Sequence, residues 1–199
     1  MSKPKASTKT NTTSSPDAIE LLKADHRQVE TLFADFEGAE DDEKDAIAQS
    51  ICRELTIHAQ IEEEILYPAA KAAFEDDEDQ DLVNEAQVEH ASAKDLIAQI
   101  EGMTADDEMF DATVKVLSEY IKHHVAEEEK ELFPALEDTE LDLQEMGAEL
   151  AARKAELQDE MGEVAQDEED EDVEEDEDVE EEKPAGRKQT AKTAARTKQ

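Results

Sequence analysis

The 199-residue chain carries 58 acidic against 20 basic residues, a formal net charge of -38. A field of that sign repels nucleic acid and anionic membrane surfaces unless a local basic patch makes the contact. No segment approaches the roughly 18 apolar residues of a membrane span or reads as the core of a signal peptide, so the expected setting is cytoplasmic. Cys52 is the single cysteine, which rules out an intrachain disulfide or a thiolate cluster and leaves nitrogen and oxygen as donors for any metal.

Residues 1–16, MSKPKASTKTNTTSSP, hold too little apolar surface to offset the entropy of ordering and are expected to form a disordered arm. From Asp17 onward apolar residues recur at helical spacing in four blocks, broken by the polar stretches Gly38 to Glu43, Glu75 to Asp81 and Gly102 to Asp107. On the first block Ile19, Leu22, His26, Val29, Phe33 and Phe36 share one face, and on the second Ile47, Ile51, Leu55, His58, Glu62 and Leu66 do so. The third aligns Val83, Ala86, His90, Ala93, Ile97 and Ile100, and the fourth Val114, Leu117, Ile121, His124, Glu128 and Leu132. With few Gly and Pro and no alternating β-branched runs, the fold class is all-α: an antiparallel up-down four-helix bundle over 17–137.

After the bundle, Leu143, Met146, Leu150, Leu157 and Met161 mark an additional helix within 138–165. The remainder, 166–199, reads as a charged tail. Between Asp167 and Glu182 only Val173 and Val179 are not acidic, and such a block is disordered or an extended charged helix. From Lys183 to Gln199 the sign reverses with Lys183, Arg187, Lys188, Lys192, Arg196 and Lys198, the one place from which a nucleic acid could be reached.

The bundle repeats itself. HAQIEEEILYP from His58 is echoed by HVAEEEKELFP from His124, and DHRQVETLF from Asp25 by EHASAKDLI from Glu89. Each half is a helix pair bearing one His, then one His with a Glu four residues later. One core histidine is commonly satisfied by a neighbouring carbonyl. Four imidazoles and two carboxylates in an apolar core cost several kcal/mol unless they pair or bind metal; direct Glu to His pairing handles at most two of the rings. His26, His58, Glu62, His90, His124 and Glu128 are therefore the expected metal ligands. That donor set suits iron, manganese or zinc and exceeds the need of one tetrahedral zinc, so two carboxylate-bridged ions fit better. A ferritin-type site would need Glu three residues before a core His, where Lys23, Leu55, Gln87 and Ile121 stand.

These motifs, with Leu-Tyr-Pro and Leu-Phe-Pro closing the second and fourth helices, resemble the bacterial hemerythrin-like HHE cation-binding family over about Asp17 to Leu136. The resemblance implies a non-haem di-iron centre with Glu62 and Glu128 as bridging carboxylates and the four histidines as terminal ligands. It implies a protein that binds or senses oxygen, nitric oxide or iron, for example in a stress response, with a small diatomic ligand as partner. Two other functions compete: a peroxide- or oxygen-reducing enzyme, and an interaction scaffold working through the charged tail. No catalytic residue stands out.

The sequence departs from the oxygen-carrying hemerythrins at Lys94, where they have a further histidine, and at the last carboxylate, which is Glu128 at four residues from its His or Glu129 at five. Either Glu reaches the core side of a helix. Glu30 could supply an oxygen ligand or pair with Lys94, with roles at the surface or just behind the ligands favoured for both. Glu63, Glu64, Glu127, Glu129 and Glu131 read as a solvated acidic face in which an imidazole partner could lie, His123 points away from the centre, and Tyr67 and Phe133 read as caps on the bundle end.

Overall fold

The computed structural model describes residues 16–174, with side chains as far as Gly162; the basic C-terminal end and all but the last residue of the N-terminal arm lie outside the described residues. Helix α1 spans Ala18–Gly38 and α2 Asp41–Ile61. A π-helical turn at Glu62–Leu66 runs without a break into α3, Tyr67–Ala73. Helix α4 spans Asp77–Glu101 and α5 Phe110–Glu127; a second π-helical turn, Glu128–Leu132, leads into α6, Phe133–Glu137. Helix α7 spans Leu143–Glu174, carrying on into the first residues of the acidic run. Among the described residues there is no strand, and no helix is long and apolar enough to cross a membrane.

Local chemistry sets the ends of these helices. Asp17 accepts from the Glu20 amide at 2.8 Å while Glu20 reaches back to the Asp17 amide, a capping box that starts α1. Asp76 caps α4 by a one-way bond, accepting from the Asp79 amide at 3.0 Å. The π-helical turns trace to Pro68 and Pro134, each six residues after a buried Glu. A proline donates no backbone hydrogen bond and crowds the carbonyl four residues earlier. Widening the turn relieves that clash, and the amides of Tyr67 and Phe133 instead bond the carbonyls of Glu62 and Glu128, five residues back.

The two hairpins, α1 with α2–α3 and α4 with α5–α6, pack into the expected antiparallel bundle. Of the 24 positions assigned to the four apolar faces all are buried except Ile47, which is partly buried. The core is not continuous, however. One apolar cluster, containing Leu22, Ile57, Leu66, Tyr67, Phe133 and the α7 residues Met146, Leu150 and Leu157, fills one end. A second, built around Phe33, Ile51, Ile97, Phe110 and Leu117, fills the other. A layer of buried histidine and glutamate separates them.

Helix α7 is fixed to the first cluster by a close backbone approach: a Cβ at Gly147 would lie 2.6–2.7 Å from backbone atoms of Pro16, Asp17 and Ala18. Only glycine permits that contact.

Candidate metal centre

The polar layer takes its side chains from all four bundle helices. His26 comes from α1, His58 from α2, His90 from α4 and His124 from α5, each 3–6 % exposed. Glu62 and Glu128 open the two π-helical turns and are 0 % and 2 % exposed. The rings face inward in pairs: His26 Nε2 lies 3.2 Å from His58 Nε2, and His90 Nε2 lies 3.1 Å from His124 Nε2. The carboxylates sit between the pairs. Glu62 Oε2 is 3.3 Å from His58 Nε2 and 3.4 Å from His90 Nε2, while Glu128 Oε2 is 3.3 Å from His26 Nε2 and 3.5 Å from His124 Nε2.

The outward nitrogen of every ring faces its own carboxylate. His26 Nδ1 donates to Glu129 at 2.9 Å, His90 Nδ1 to Glu63 at 3.1 Å and His124 Nδ1 to Glu89 at 2.8 Å, while His58 Nδ1 stands 3.6 Å from Asp25. The pattern obeys the duplication. The acid preceding the α1 or α4 histidine serves the ring on the paired helix, and the acid following the buried Glu serves the ring across the bundle.

This arrangement suits a bound cation, for two reasons. An imidazole donating through Nδ1 presents a bare lone pair at Nε2, and two such lone pairs about 3 Å apart repel unless a positive charge lies between them. Glu62 Oε1 and Glu128 Oε2 are also buried with no hydrogen-bond partner, which is costly for a carboxylate oxygen. One donor atom each from His26, His58, Glu62 and Glu128 can be chosen within 4.8 Å of one another, and likewise from Glu62, His90 and His124, so that Glu62 belongs to both sets. Carboxylates on the far side of metal-binding imidazoles are the usual means of fixing tautomer and orientation.

Without a cation, protons take up part of the charge. Burial opposes protonation of His124, but Glu128, Glu89 and Glu62 outweigh it and lift its pKa to about 9. His26 is raised in the same sense, against burial, by Glu128, Glu62 and Glu129. Glu128, despite complete burial, is held down to about 2 by His124, His26 and His58.

Several side chains take roles that helical periodicity alone misplaces. Tyr67 is fully buried beside the centre, with its hydroxyl 3.0 Å from Glu128 Oε1, 3.1 Å from His90 Nε2 and 3.4 Å from Glu62 Oε2. It is not merely a cap on the bundle end: the π-helical turn swings it onto the face of Glu62. Phe133, at the equivalent place in the second half, stacks on the His26 ring with centroids 5.8 Å apart. Glu63 and Glu129 are orienting partners rather than only a solvated face. Glu129 lies beside the centre on His26 Nδ1, and Glu128 lies within it. Glu30 pairs with Arg27 at the surface and Lys94 with Glu63 at 2.6 Å, so these two do not pair with each other. His123 is exposed, against Glu127 at 3.2 Å. The sequence signals that could have found the orienting acids are the Asp-His and Glu-His pairs and the Glu-Glu doublets.

Comparison with known proteins agrees with this geometry. The family model of the hemerythrin HHE cation-binding domain matches residues 17–136. The chain belongs to that family. Among solved structures, a hemerythrin HHE cation-binding domain-containing protein from Mycobacterium kansasii shares the fold at a TM-score of 0.61, with 24 % identity, over 71 % of this chain and 87 % of that one. A curated relative, a DNA nickase of Nostoc sp., is 27 % identical over 146 residues. That match takes in 72 % of this chain and 40 % of the relative, so most of the relative has no counterpart here. As a member of the HHE family the chain carries clustered histidine and glutamate groups suited to binding metal.

Proposed function

We propose that the bundle holds two non-haem iron ions and binds or senses a diatomic ligand, oxygen or nitric oxide. The observation that carries the reading is the set of four inward-facing imidazoles, each backed by its own carboxylate, around the unpartnered oxygens of Glu62 and Glu128. His26 and His58 would hold one ion, His90 and His124 the other, with Glu62 and Glu128 shared between them. Ferrous ions in such a site supply the electrons and the open coordination position that a diatomic ligand requires. Manganese or zinc fits the donor types less specifically.

The chain's own residues set what can reach that position. A small, largely apolar cavity of about 20 Å³ borders all four histidines, lined also by Val29, Leu55, Ala93, Ile97, Ile121 and Val125. That is room for about one water-sized molecule, which favours a diatomic gas over an organic substrate. Burial and then the charges of Glu62 and Glu128 push the Tyr67 hydroxyl well above its ordinary pKa. It therefore keeps its proton and donates a hydrogen bond to Glu128.

Peroxide is small enough for the same cavity, so a peroxide- or oxygen-reducing enzyme is the competing reading. The activity of the Nostoc relative is not carried over: a net charge of -38 opposes contact with a polyanion, and 60 % of that protein lies outside the match. The discriminating experiment loads the protein anaerobically with ferrous iron and admits oxygen, nitric oxide or peroxide in stoichiometric amounts. A saturable change in absorption without sustained peroxide consumption supports binding or sensing. Continued turnover of peroxide would replace that reading with the enzymatic one.

A further inference from the structure

We propose that the two ion positions are unequal, and that Lys154 of α7 makes them so by weakening the His26–His58 position relative to the His90–His124 position. This rests on the two-ion reading of the centre. Lys154 lies outside the residues that match the family model, 17–136, and neither half of the duplicated bundle contains a counterpart to it.

The geometry is a competition for one carboxylate. Lys154 Nζ takes Asp25 Oδ1 at 2.6 Å, with side-chain exposures of only 15 % and 10 %. The other oxygen, Oδ2, stands 3.6 Å from His58 Nδ1, beyond hydrogen-bonding distance, and both of those atoms are without a partner. The three remaining rings have their carboxylates at 2.8–3.1 Å. The one orienting acid engaged by α7 is thus the one that does not close on its histidine.

The surrounding charges point the same way. At the His26–His58 position both orienting acids are matched by a full cation, Asp25 by Lys154 and Glu129 by Arg27. At the His90–His124 position Glu63 is matched by Lys94 at 2.6 Å, but among the described residues the outer side of Glu89 meets no Lys or Arg, and the exposed His123 stands 3.8 Å from it. A carboxylate whose charge is not offset by a neighbouring cation makes its imidazole a stronger donor and adds negative potential at the ion. The His90–His124 position therefore fills first.

Helix α7 is held where this competition requires. Leu150 and Leu157 are buried in the core, and Arg153 pairs with Glu64 at 2.8 Å, two residues beyond Glu62. Lys154 also stands 4.0 Å from the buried Glu54, so its removal leaves two buried acids near His58.

The test is a titration of the full-length apo-protein with ferrous iron under anaerobic conditions, against a competing chelator, for wild type, Lys154→Met and Lys154→Arg. Thermal melts of each apo-protein report on folding. The wild type is expected to show two resolved steps. In Lys154→Met the weaker step should tighten by about tenfold, the lower end of what outer carboxylate changes do to metal affinity. Lys154→Arg should restore the separation. Apo Lys154→Met should melt lower than wild type, yet gain more on metal addition. Two ions bound with the steps unchanged in Lys154→Met would overturn the inference and leave the two-ion centre standing. A wild type that binds no iron would overturn both.

Discussion

Tyr67 donates its hydroxyl to Glu128 at 3.0 Å, joining the end of one bundle hairpin to the buried acid of the other. The bond exists because the π-helical turn ahead of Pro68 brings a residue five positions after Glu62 back onto the inner face. Tyr67→Phe keeps the ring packed on His90 and removes only the hydroxyl, leaving Glu128 Oε1 short of a donor. The expected result is a loss of about 1–2 kcal/mol in apo-protein stability, measured by chemical denaturation, with metal stoichiometry unchanged.

Gly147→Ala should detach the N-terminal part of α7. The new methyl would meet backbone atoms of Pro16, Asp17 and Ala18 at 2.6–2.7 Å, and backbone cannot step aside as a side-chain tip can. A destabilisation of about 1–3 kcal/mol, the range for overpacking, is expected in thermal unfolding. Proteolysis of the folded protein should become easier within α7 and not within α4.

The four-helix outline was legible because its signal is redundant. His26, His58, His90 and His124 each sit inside an apolar stripe whose other members are nearly all buried, so the period and the histidines support one another. The duplication did the same for the paired Glu62 and Glu128. The orienting acids were harder to see: in a chain with 58 acidic residues, nothing in type or frequency separates Glu63 or Glu129 from their solvated neighbours. Tyr67 was misplaced because its position follows π-helical rather than α-helical spacing, and a proline immediately after it usually signals an end. Lys154 could not be placed at all, since its partner Asp25 is 129 residues away and only tertiary packing unites them.

The metal-free protein should lose stability as pH rises above neutrality. His124 has a folded pKa of about 9 against an ordinary 6.5, so its contribution is complete below about 6.5 and gone once pH passes about 9. Glu128, at about 2 against 4.5, contributes above about 4.5 and is lost as pH falls through about 2. The two belong to one cluster, 3.5 Å apart, and their effects do not add. Stability of the apo-protein should therefore peak between about pH 4.5 and 6.5 and fall on the alkaline side, with roughly 3 kcal/mol of the fall from His124, measured by denaturant unfolding across pH. Metal binding displaces those protons, so affinity should rise over the same alkaline interval.

Leu117→Ala probes the apolar end of the core away from α7. Leu117 is fully buried among Phe33, Ile51 and Phe110, and its truncation should cost about 2–5 kcal/mol. Metal stoichiometry of the folded fraction should be unaffected, which separates loss of core packing from loss of the centre.

Counting the metal tests the central claim most directly. Purified apo-protein is incubated anaerobically with excess ferrous iron, desalted and assayed for iron per chain, beside His58→Ala and His124→Ala and with a melting curve for each. The expected result is two irons per wild-type chain, a higher melting temperature on loading, and at most one iron in either variant. Full-length protein that is folded and retains no iron, with an unchanged melting temperature, would contradict the di-iron reading.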